Sequence, residues 1–276
     1  MIQDIFPRRL FNQYDPAIRP DSGSFVLRLH RDALMMCAAP ELRFPTVSDF
    51  DALPALTYLF AIDGERYFLL SEDVDASVET RFVSLRELRE NGFGPKHQLF
   101  AAMTAKHLSD WYTDNQFCGR CGKPMAHSET ERCMVCPSCG CRSYPRIMPA
   151  VIVGVINGDR LLLTRYRTGY KHNALIAGFT EIGETVEETV EREVMEESGL
   201  RVKNIRYYKS QPWGVANDIL LGYYCEVDGD DTIHMDANEL GSAAWVQRDE
   251  IVLQPDDASL TNEMMMLFKE GRIVRP

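Results

Sequence analysis

A 23-residue run, Gly178–Leu200, constrains this chain more than any other segment, because glutamates occupy positions where an amphipathic helix would be apolar. Thr185 can cap the start of a helix, with Glu188 reaching back to complete a capping box. Gly199 can end the helix, since glycine adopts the left-handed conformation that helix ends commonly need. The run therefore predicts one amphipathic helix of about four turns.

One stripe of this helix changes from apolar to acidic along its length. At about 100° per residue, the stripe holds Val186, Val190, Glu193 and Glu197, and Glu196 lies beside it. Carboxylates on a buried face repel one another unless a cation neutralises them, and oxygen-rich clusters select hard divalent ions. The stripe therefore predicts a catalytic Mg²⁺ or Mn²⁺ site with Glu193 and Glu197 as ligands. Glu196 is a further ligand or a supporting carboxylate, and a solvated acidic helix is the alternative interpretation.

The cysteines predict a second metal site. Six of the eight cysteines lie between Cys118 and Cys141, where two CxxC pairs are separated by fourteen residues. Two such turns offer four thiolates to one Zn²⁺ ion, and a site filled in this way is structural. The predicted zinc ligands are Cys118, Cys121, Cys136 and Cys139. Cys133 and Cys141 could each replace a neighbour, and disulfides are the competing interpretation in an oxidising compartment.

The composition indicates small-molecule substrates. The net charge is −11, from 41 acidic and 30 basic residues, which disfavours binding to duplex DNA or to an anionic membrane. No apolar run approaches the roughly 18 residues needed to span a bilayer, and the first residues do not resemble a secretion signal. We expect a soluble, cytoplasmic protein.

The chain divides into three predicted domains. Residues 1–112 contain short strand-like runs followed by two helical patterns, and they predict an α+β domain. Residues 113–146 hold the zinc ribbon, and residues 147–276 predict an α/β/α sandwich with a mixed sheet. In the third domain we expect a hairpin turning at Asn157-Gly158, a strand over 173–177 that leads into the acidic run, and a closing helix near 261–269.

The acidic run resembles the Nudix box. The matching positions are Gly178, Glu184, Arg192-Glu193-Val194, Glu196-Glu197 and Gly199-Leu200, at the spacing of that motif. The resemblance implies the Nudix fold and a hydrolase in which metal-activated water cleaves a nucleoside diphosphate linked to another group. A zinc ribbon directly before a Nudix domain is similar to the arrangement in the NADH pyrophosphatase family.

The same resemblance implies roles for further residues. The backbone carbonyl of Ala177 would be a metal ligand, and Gly178 would let the chain approach the metal closely. Arg192 would pair with Glu184 in a structural role. Glu239 would complete the metal site or act as the base, although a surface glutamate before a strand is the alternative. Members of the family are usually homodimers.

Substrate recognition is predicted just after the acidic run. Ser210-Gln211-Pro212-Trp213 matches the first half of a family array, and Tyr144-Pro145 also resembles the family. The array continues Pro-Phe-Pro-x-Ser, whereas this chain has Gly214-Val215-Ala216-Asn217-Asp218, which removes an aromatic ring and adds a carboxylate. The predicted substrate-binding residues are Tyr144, Phe179, Gln211, Pro212, Trp213, Gly214, Val215, Ala216, Asn217 and Asp218, and the three aromatic ones would stack on bases.

Three functions compete. The favoured hypothesis is hydrolysis of the pyrophosphate bond of NADH or NAD to nicotinamide mononucleotide and AMP, with the NAD cap of RNA 5′ ends as a further candidate substrate. The altered loop at 214–218 favours an alternative, a Nudix pyrophosphatase for another nucleoside diphosphate derivative such as ADP-ribose. A non-enzymatic nucleotide sensor is the third hypothesis, and the intact acidic run disfavours it.

Overall fold

The structure is a computed structural model that describes residues 1–169 and 171–273. It divides into two compact units. The N-terminal unit comprises residues 2–146 together with Trp213–Asn217, and the C-terminal unit comprises Met1, residues 147–212 and residues 218–276. Among the described residues, none of the helices has the length and apolar character that crossing a bilayer requires.

The N-terminal unit begins with two small sheets. The first has the order β1-β5-β6-β2 and the second the order β3-β4-β7. Asp63 and Gly64 both have positive φ, 46° and 88°, and form the hairpin turn between β5 and β6. The strands are β1 Leu10–Phe11, β2 Phe25–Leu27, β3 Leu29–His30, β4 Ala33–Cys37, β5 Thr57–Ile62, β6 Glu65–Leu69 and β7 Thr80–Ser84, with a 3-10 turn at Val47–Asp49 between β4 and β5.

Two helices follow these sheets, α1 Leu85–Glu90 and α2 Lys96–Asp114. Five successive residues of α2, Leu99–Met103, are all buried, so this helix is covered on every side there. A helix that buries its whole circumference lies in a core, whereas a surface helix shows a single apolar stripe. The α2 helix therefore lies in a buried core along these residues.

The cysteine-rich segment forms a three-stranded antiparallel sheet with the order β10-β9-β8. Its strands, β8 Ala126–His127, β9 Met134–Val135 and β10 Arg142–Ser143, have only two residues each. Strands this short offer few ladder hydrogen bonds, and such small elements usually need a metal or disulfides for stability.

The C-terminal unit contains a six-stranded mixed sheet, as the sequence predicts. The order is β14-β15-β11-β12-β16, and β13 also pairs with β11. The β11 and β15 strands are parallel, whereas β11 pairs antiparallel with β12 and β13. The strands are β11 Met148–Asn157, β12 Arg160–Tyr166, β13 Ile176–Phe179, β14 Val202–Trp213, β15 Asp218–Val227 and β16 Leu240–Gln247.

Two helices cover opposite faces of this sheet. Val190 and Val194 of α3, Val186–Ser198, share a buried cluster with Tyr223. The neighbouring residue Tyr224, whose side chain points to the other face, donates a hydrogen bond to the carbonyl of Met264 in α4, Leu260–Lys269. A 3-10 turn at Arg248–Glu250 precedes α4. The predicted α/β/α sandwich is therefore confirmed.

The ends of α3 follow the sequence prediction. The Thr185 hydroxyl accepts a hydrogen bond from the backbone N–H of Glu188, whose carboxylate in turn accepts from the backbone N–H of Thr185. Gly199 ends the helix in the left-handed conformation, with φ of 70°. These two caps set the first and last residues of α3.

The strand before the acidic run differs from its prediction. It was expected over 173–177, but β13 spans Ile176–Phe179, where it pairs with Ala150–Val153 of β11. The Asn173 side chain instead accepts from Arg165 and donates to the carbonyl of Val252. The strand begins and ends later in the sequence than predicted, because its pairing with β11 determines where it begins and ends. Ala177 and Gly178 consequently lie within β13.

Candidate functional site

Two of the three predicted carboxylates on α3 are buried. Glu193 retains 9% and Glu197 only 3% of its surface exposure, whereas Glu196, one residue before Glu197, is exposed. This difference follows from the helical period, because Glu196 lies at the edge of the stripe that faces β13. The structure thus brings Glu193 and Glu197 to the sheet and leaves Glu196 at the rim.

A glycine allows the helix to approach β13. A Cβ built on Gly178 would stand 2.0 Å from Cδ of Glu193 and 2.1 and 2.2 Å from its two carboxylate oxygens. Real side chains do not approach so closely, so the Glu193 carboxylate occupies the space that any other residue at 178 would fill. The neighbouring backbone N–H of Ala177 donates to Oε1 of Glu197 at 3.3 Å.

Glu197 has unsatisfied capacity for a ligand. Its Oε2 is buried and has no hydrogen-bond partner among the described residues. Burial, together with the negative charges of Glu193, Glu239 and Asp236, raises the pKa of Glu197 to about 8, although the hydrogen bond from Ala177 lowers it. Burying a carboxylate oxygen without a hydrogen-bond partner costs free energy, and a bound cation would offset that cost. These residues therefore fit a hard divalent ion, which prefers carboxylate oxygens.

Arg192 connects several of these carboxylates. Its Nε and Nη2 donate to the two oxygens of Glu184 at 2.6 and 3.0 Å, and its Nη1 donates to Glu193 at 2.7 Å and to Glu196 at 2.9 Å. The guanidinium also donates to the carbonyl of Phe179 at 2.9 Å. The hydrogen bond from Arg192 is the main reason that the pKa of Glu184 falls to about 2. Arg192 therefore holds the loop after β13 against α3, and the Glu184 pairing matches the predicted one.

Glu239 lies near this cluster. Its side chain is exposed, and its negative charge helps to raise the pKa of both Glu193 and Glu197. Tyr166 is also close, because the negative charges of Glu197, Glu239 and Glu193 affect its phenol. Burial and, after it, these charges together raise the pKa of Tyr166 to about 12. Sequence reasoning missed Tyr166. It follows a register shift at the end of β12, where the regular strand alternation no longer predicts the direction of a side chain.

The four predicted zinc ligands converge. The sulfur atoms of Cys118, Cys121, Cys136 and Cys139 all lie within 4.8 Å of one another. In the parts of the chain that the structure describes, no other group of three or more metal-binding side chains is brought together in this way. The carboxylates near Glu197 are therefore less tightly gathered than these thiols.

The two remaining cysteines of the ribbon are not part of this group. The buried Cys133 thiol points to the carbonyl of Met134 at 3.3 Å, and Cys141 uses its backbone carbonyl to accept from the N–H of Cys136 at 2.8 Å. Backbone N–H groups of Arg120 and Cys121 lower the pKa of Cys118.

The three predicted stacking aromatics have different surroundings. Phe179 is 48% exposed, directly after Gly178. Tyr144 is 52% exposed, and its hydroxyl lies 3.1 Å from a carboxylate oxygen of Glu131. Trp213 is half-buried, and the guanidinium of Arg89 lies 5.3 Å from its ring centroid. One face of Trp213 is therefore covered, so a base could stack only on the opposite face.

The Gln211 side chain forms hydrogen bonds within the C-terminal unit. It is fully buried, its side-chain amide donates to the carbonyl of Ala258 at 2.8 Å, and its Oε1 accepts from the backbone N–H of Leu260 at 2.6 Å. These bonds satisfy the start of α4, where backbone groups lack helical partners. Pro212, by contrast, is exposed.

The loop after β14 mixes exposed and buried positions. Val215 and Ala216 are exposed, while Gly214 is buried and Asn217 donates to the carboxylate of Asp110 at 3.0 Å. Asp218, the first residue of β15, is buried, and its burial raises the pKa of the carboxyl to about 7.

Comparisons with known proteins agree with these features. A family model described as the NUDIX domain matches residues 146–268, and one described as the NADH pyrophosphatase zinc ribbon domain matches residues 114–144. A crystal structure of a Nudix hydrolase from Nitrosomonas europaea is 22% identical, covers 57% of this chain and 92% of that chain, and superimposes with a TM-score of 0.48.

Curated relatives named NAD-capped RNA hydrolase NudC occur in Citrobacter koseri, Salmonella schwarzengrund and Shigella flexneri. Each is 40% identical over 161 residues, which cover 57% of this chain and 62% of the relative. The chain therefore spans less than two thirds of the length of the curated relatives it matches. It contains a Nudix domain and, directly before that domain, an NADH pyrophosphatase zinc ribbon domain.

Proposed function

We propose that this protein is a metal-dependent hydrolase that splits the pyrophosphate bond of NADH or NAD, releasing AMP together with the reduced or the oxidised nicotinamide mononucleotide, respectively. The observation that carries the proposal is the buried pair Glu193 and Glu197 on the helix of a Nudix domain. Oε2 of Glu197 has no hydrogen-bond partner among the described residues, and the Glu193 carboxylate occupies the space left by the missing side chain of Gly178. The zinc ribbon described as that of NADH pyrophosphatases supports the dinucleotide. The name of the relatives supports the NAD cap of RNA 5′ ends as a further substrate.

The catalytic ion in this proposal is Mg²⁺ or Mn²⁺. Glu193, Glu197, Glu239 and the carbonyl of Ala177 would hold it, with Glu196 beside them at the rim. When bound, such an ion neutralises phosphate oxygens and lowers the pKa of water at the site. The Zn²⁺ of the ribbon is structural and separate, because its four ligands leave no open position.

The protein's own groups then orient the reaction. Arg192 fixes the positions of Glu193 and Glu196 through its hydrogen bonds, so the carboxylates need not reorganise as charge develops. Glu239 completes the metal site or removes a proton from the attacking water. Phe179, Trp213 and Tyr144 bind bases by stacking, and residues 211–218 shape the substrate site, with Gln211 acting through its support of α4.

A second candidate substrate is ADP-ribose. The observation that favours it is the loop itself, where Gly214, Val215 and Ala216 replace the Pro-Phe-Pro of the resembling family. A loop without the aromatic ring gives less stacking surface to nicotinamide, and ADP-ribose has no nicotinamide to bind.

Chromatography of reaction products decides between these substrates. The protein is incubated with Mg²⁺ or Mn²⁺ and with NADH, NAD, ADP-ribose, FAD, a diadenosine polyphosphate or RNA carrying an NAD cap. We expect reduced nicotinamide mononucleotide and AMP from NADH, and this substrate should have the highest kcat/KM. A higher kcat/KM for ADP-ribose would favour the second candidate, and no cleavage of any compound would contradict the proposed activity.

The proposal extends to the domain limits, the oligomeric state and the cellular location. We propose domain limits of 1–112, 113–146 and 147–276, a homodimer and a cytoplasmic location. The free cysteines support a reducing compartment, and the family resemblance supports the dimer. Sedimentation equilibrium tests the dimer, because a monomeric mass near 31.5 kDa at micromolar concentration would contradict it.

A further inference from the structure

The loop Trp213–Asn217 is part of the N-terminal unit, although the strands on both of its sides belong to the C-terminal unit. This loop carries Trp213, the proposed base-stacking residue. The residues that contact this loop lie in the same unit.

The loop contacts one face of α2. A Cβ built on Gly214 would stand 2.0 Å from the carbonyl oxygen of Met103 and 3.3 Å from Cβ of His107. Only a glycine permits this approach of the loop to the helix backbone. The position where the resembling family has a proline is therefore fitted to α2 in this chain.

A second contact fixes the end of the loop. Asn217 has a positive φ of 60°, a conformation that asparagine adopts more readily than most residues. Its side-chain nitrogen donates to Oδ2 of Asp110 at 3.0 Å. Asp110 lies seven residues after Met103, which is two helical turns, so both contacts arise from the same side of α2.

Asp110 is itself held in place. Its Oδ2 also accepts from Nζ of Lys106, one helical turn earlier, and the Lys106 side chain is only 11% exposed. The two donors thus converge on a single carboxylate oxygen. A buried lysine needs a carboxylate nearby, so Lys106 restricts Asp110 to the orientation that accepts from Asn217.

We propose that Asp110, oriented by Lys106, is a positioning residue that sets the conformation of the loop Trp213–Asn217 and thereby the orientation of Trp213 toward substrate. This inference rests on the proposed function, because it assigns Trp213 to the binding of a dinucleotide base.

Variants at Asn217 test the proposal without leaving Lys106 unpaired. Asn217→Asp preserves the shape and the backbone preference but places a carboxylate against Asp110. Asn217→Gly keeps the positive φ and removes the amide. In the double variant Asp110→Asn/Asn217→Asp, the amide and the carboxylate are exchanged, and the carboxylate remains beside Lys106. Asp114→Asn is the control for the Asp110→Asn change in the double variant, since it replaces an aspartate by asparagine at an exposed site of α2.

Steady-state kinetics provide the first readout. We expect Asn217→Asp and Asn217→Gly to raise the KM for NADH by about three- to tenfold, the effect of losing one hydrogen bond, with kcat little changed. The exchanged pair should recover most of the affinity, and Asp114→Asn should match the wild type. An unchanged KM in both single variants would overturn the proposal, whether or not kcat falls.

Fluorine NMR provides a readout that does not depend on hydrolysis. The protein has three tryptophans, Trp111, Trp213 and Trp245, so labelling with 5-fluorotryptophan gives three resonances, and Trp213→Phe assigns one of them. We expect the Trp213 resonance to shift in Asn217→Asp and to return in the exchanged pair. If the wild type cleaves no dinucleotide but this pattern holds, the proposed function fails and the positioning stands. An unmoved Trp213 resonance beside active wild-type enzyme would overturn the positioning alone.

Discussion

Gly178 and Glu193 share one small space, because a Cβ on the glycine would lie 2.0 Å from the carboxyl carbon of the glutamate. The strand β13 and the helix α3 approach each other at this point, and the Glu193 carboxylate lies against the strand backbone. The position of the proposed metal ligand therefore depends on the absence of a side chain at 178.

Replacing Gly178 by alanine should displace the Glu193 carboxylate and weaken the binding of the catalytic ion. Changes that move a metal ligand without removing it commonly cost about 10- to 100-fold in metal affinity or activity. Titration with Mn²⁺ followed by electron paramagnetic resonance measures the affinity directly. Gly23→Ala is the control, since its Cβ would meet its nearest atom at an ordinary 3.7 Å. An unchanged Mn²⁺ affinity in Gly178→Ala would show that Glu193 does not ligate the ion.

The ribbon should contain one zinc ion per chain. Replacing Cys118 or Cys136 by serine leaves three thiolates, so zinc should be lost and the N-terminal unit destabilised, because metal binding at such a site is folding free energy. Cys133→Ser and Cys141→Ser should keep the zinc, since these sulfurs lie outside the cluster of four. Elemental analysis of protein purified without chelator provides the measurement. Loss of zinc in either control would mean that the ligand set is wrong.

Asp49 should make stability depend on pH in the acid range. Arg43 donates to both of its oxygens at 2.7 Å, and this pairing is the main reason that the pKa of Asp49 falls to about 2. A carboxyl whose folded pKa lies below its ordinary value of 3.8 stabilises the fold above that value, and the contribution is lost as pH falls toward 2.

The variant Asp49→Asn should therefore lower the free energy of unfolding at pH 7 by about 1.5 to 3 kcal/mol, the usual contribution of a hydrogen bond to a charged group. The difference from the wild type should shrink as pH falls below 4. Urea unfolding at several pH values measures it, with the exposed Asp51→Asn as control. A difference that stays constant from pH 7 to pH 3 would contradict the assigned pairing.

Local sequence determined the parts of the structure that could be predicted. The caps of α3 depend on Thr185, Glu188 and Gly199, all within the helix or next to it, so the pattern alone located them. The CxxC spacing likewise identified four sulfurs that the structure brings together. The capping residues are close to one another in sequence. The four cysteines are recognisable because one zinc ion requires four thiolates.

Long-range contacts determined the parts that could not. The partners of the loop after β14, Met103 and Asp110, lie more than 100 residues before it, and no spacing rule connects them to Gly214 and Asn217. Gln211 was predicted to bind substrate because of the family array, yet its side chain satisfies the start of α4. A sequence motif identifies such positions, but it does not show which residues their side chains contact.

Trp213→Ala should mainly raise the KM for NADH. Stacking of an aromatic side chain on a base contributes about 1 to 3 kcal/mol, so KM should rise by about fivefold or more while kcat changes less. Arg89→Lys is the matched comparison, since it keeps the positive charge beside the covered face of Trp213 and leaves the ring in place. A fall in kcat at unchanged KM would show that Trp213 does not bind the ground-state substrate.

The central claim is that the buried carboxylates of α3 carry out the hydrolysis, and the turnover of NADH by Glu197→Gln at saturating Mn²⁺ tests it most directly. Glutamine keeps the size of the side chain and removes its charge, so kcat should fall by about 100-fold or more with the fold intact. Glu191→Gln, an exposed glutamate on the same helix, should turn over NADH like the wild type. Near wild-type kcat in folded Glu197→Gln would contradict the account.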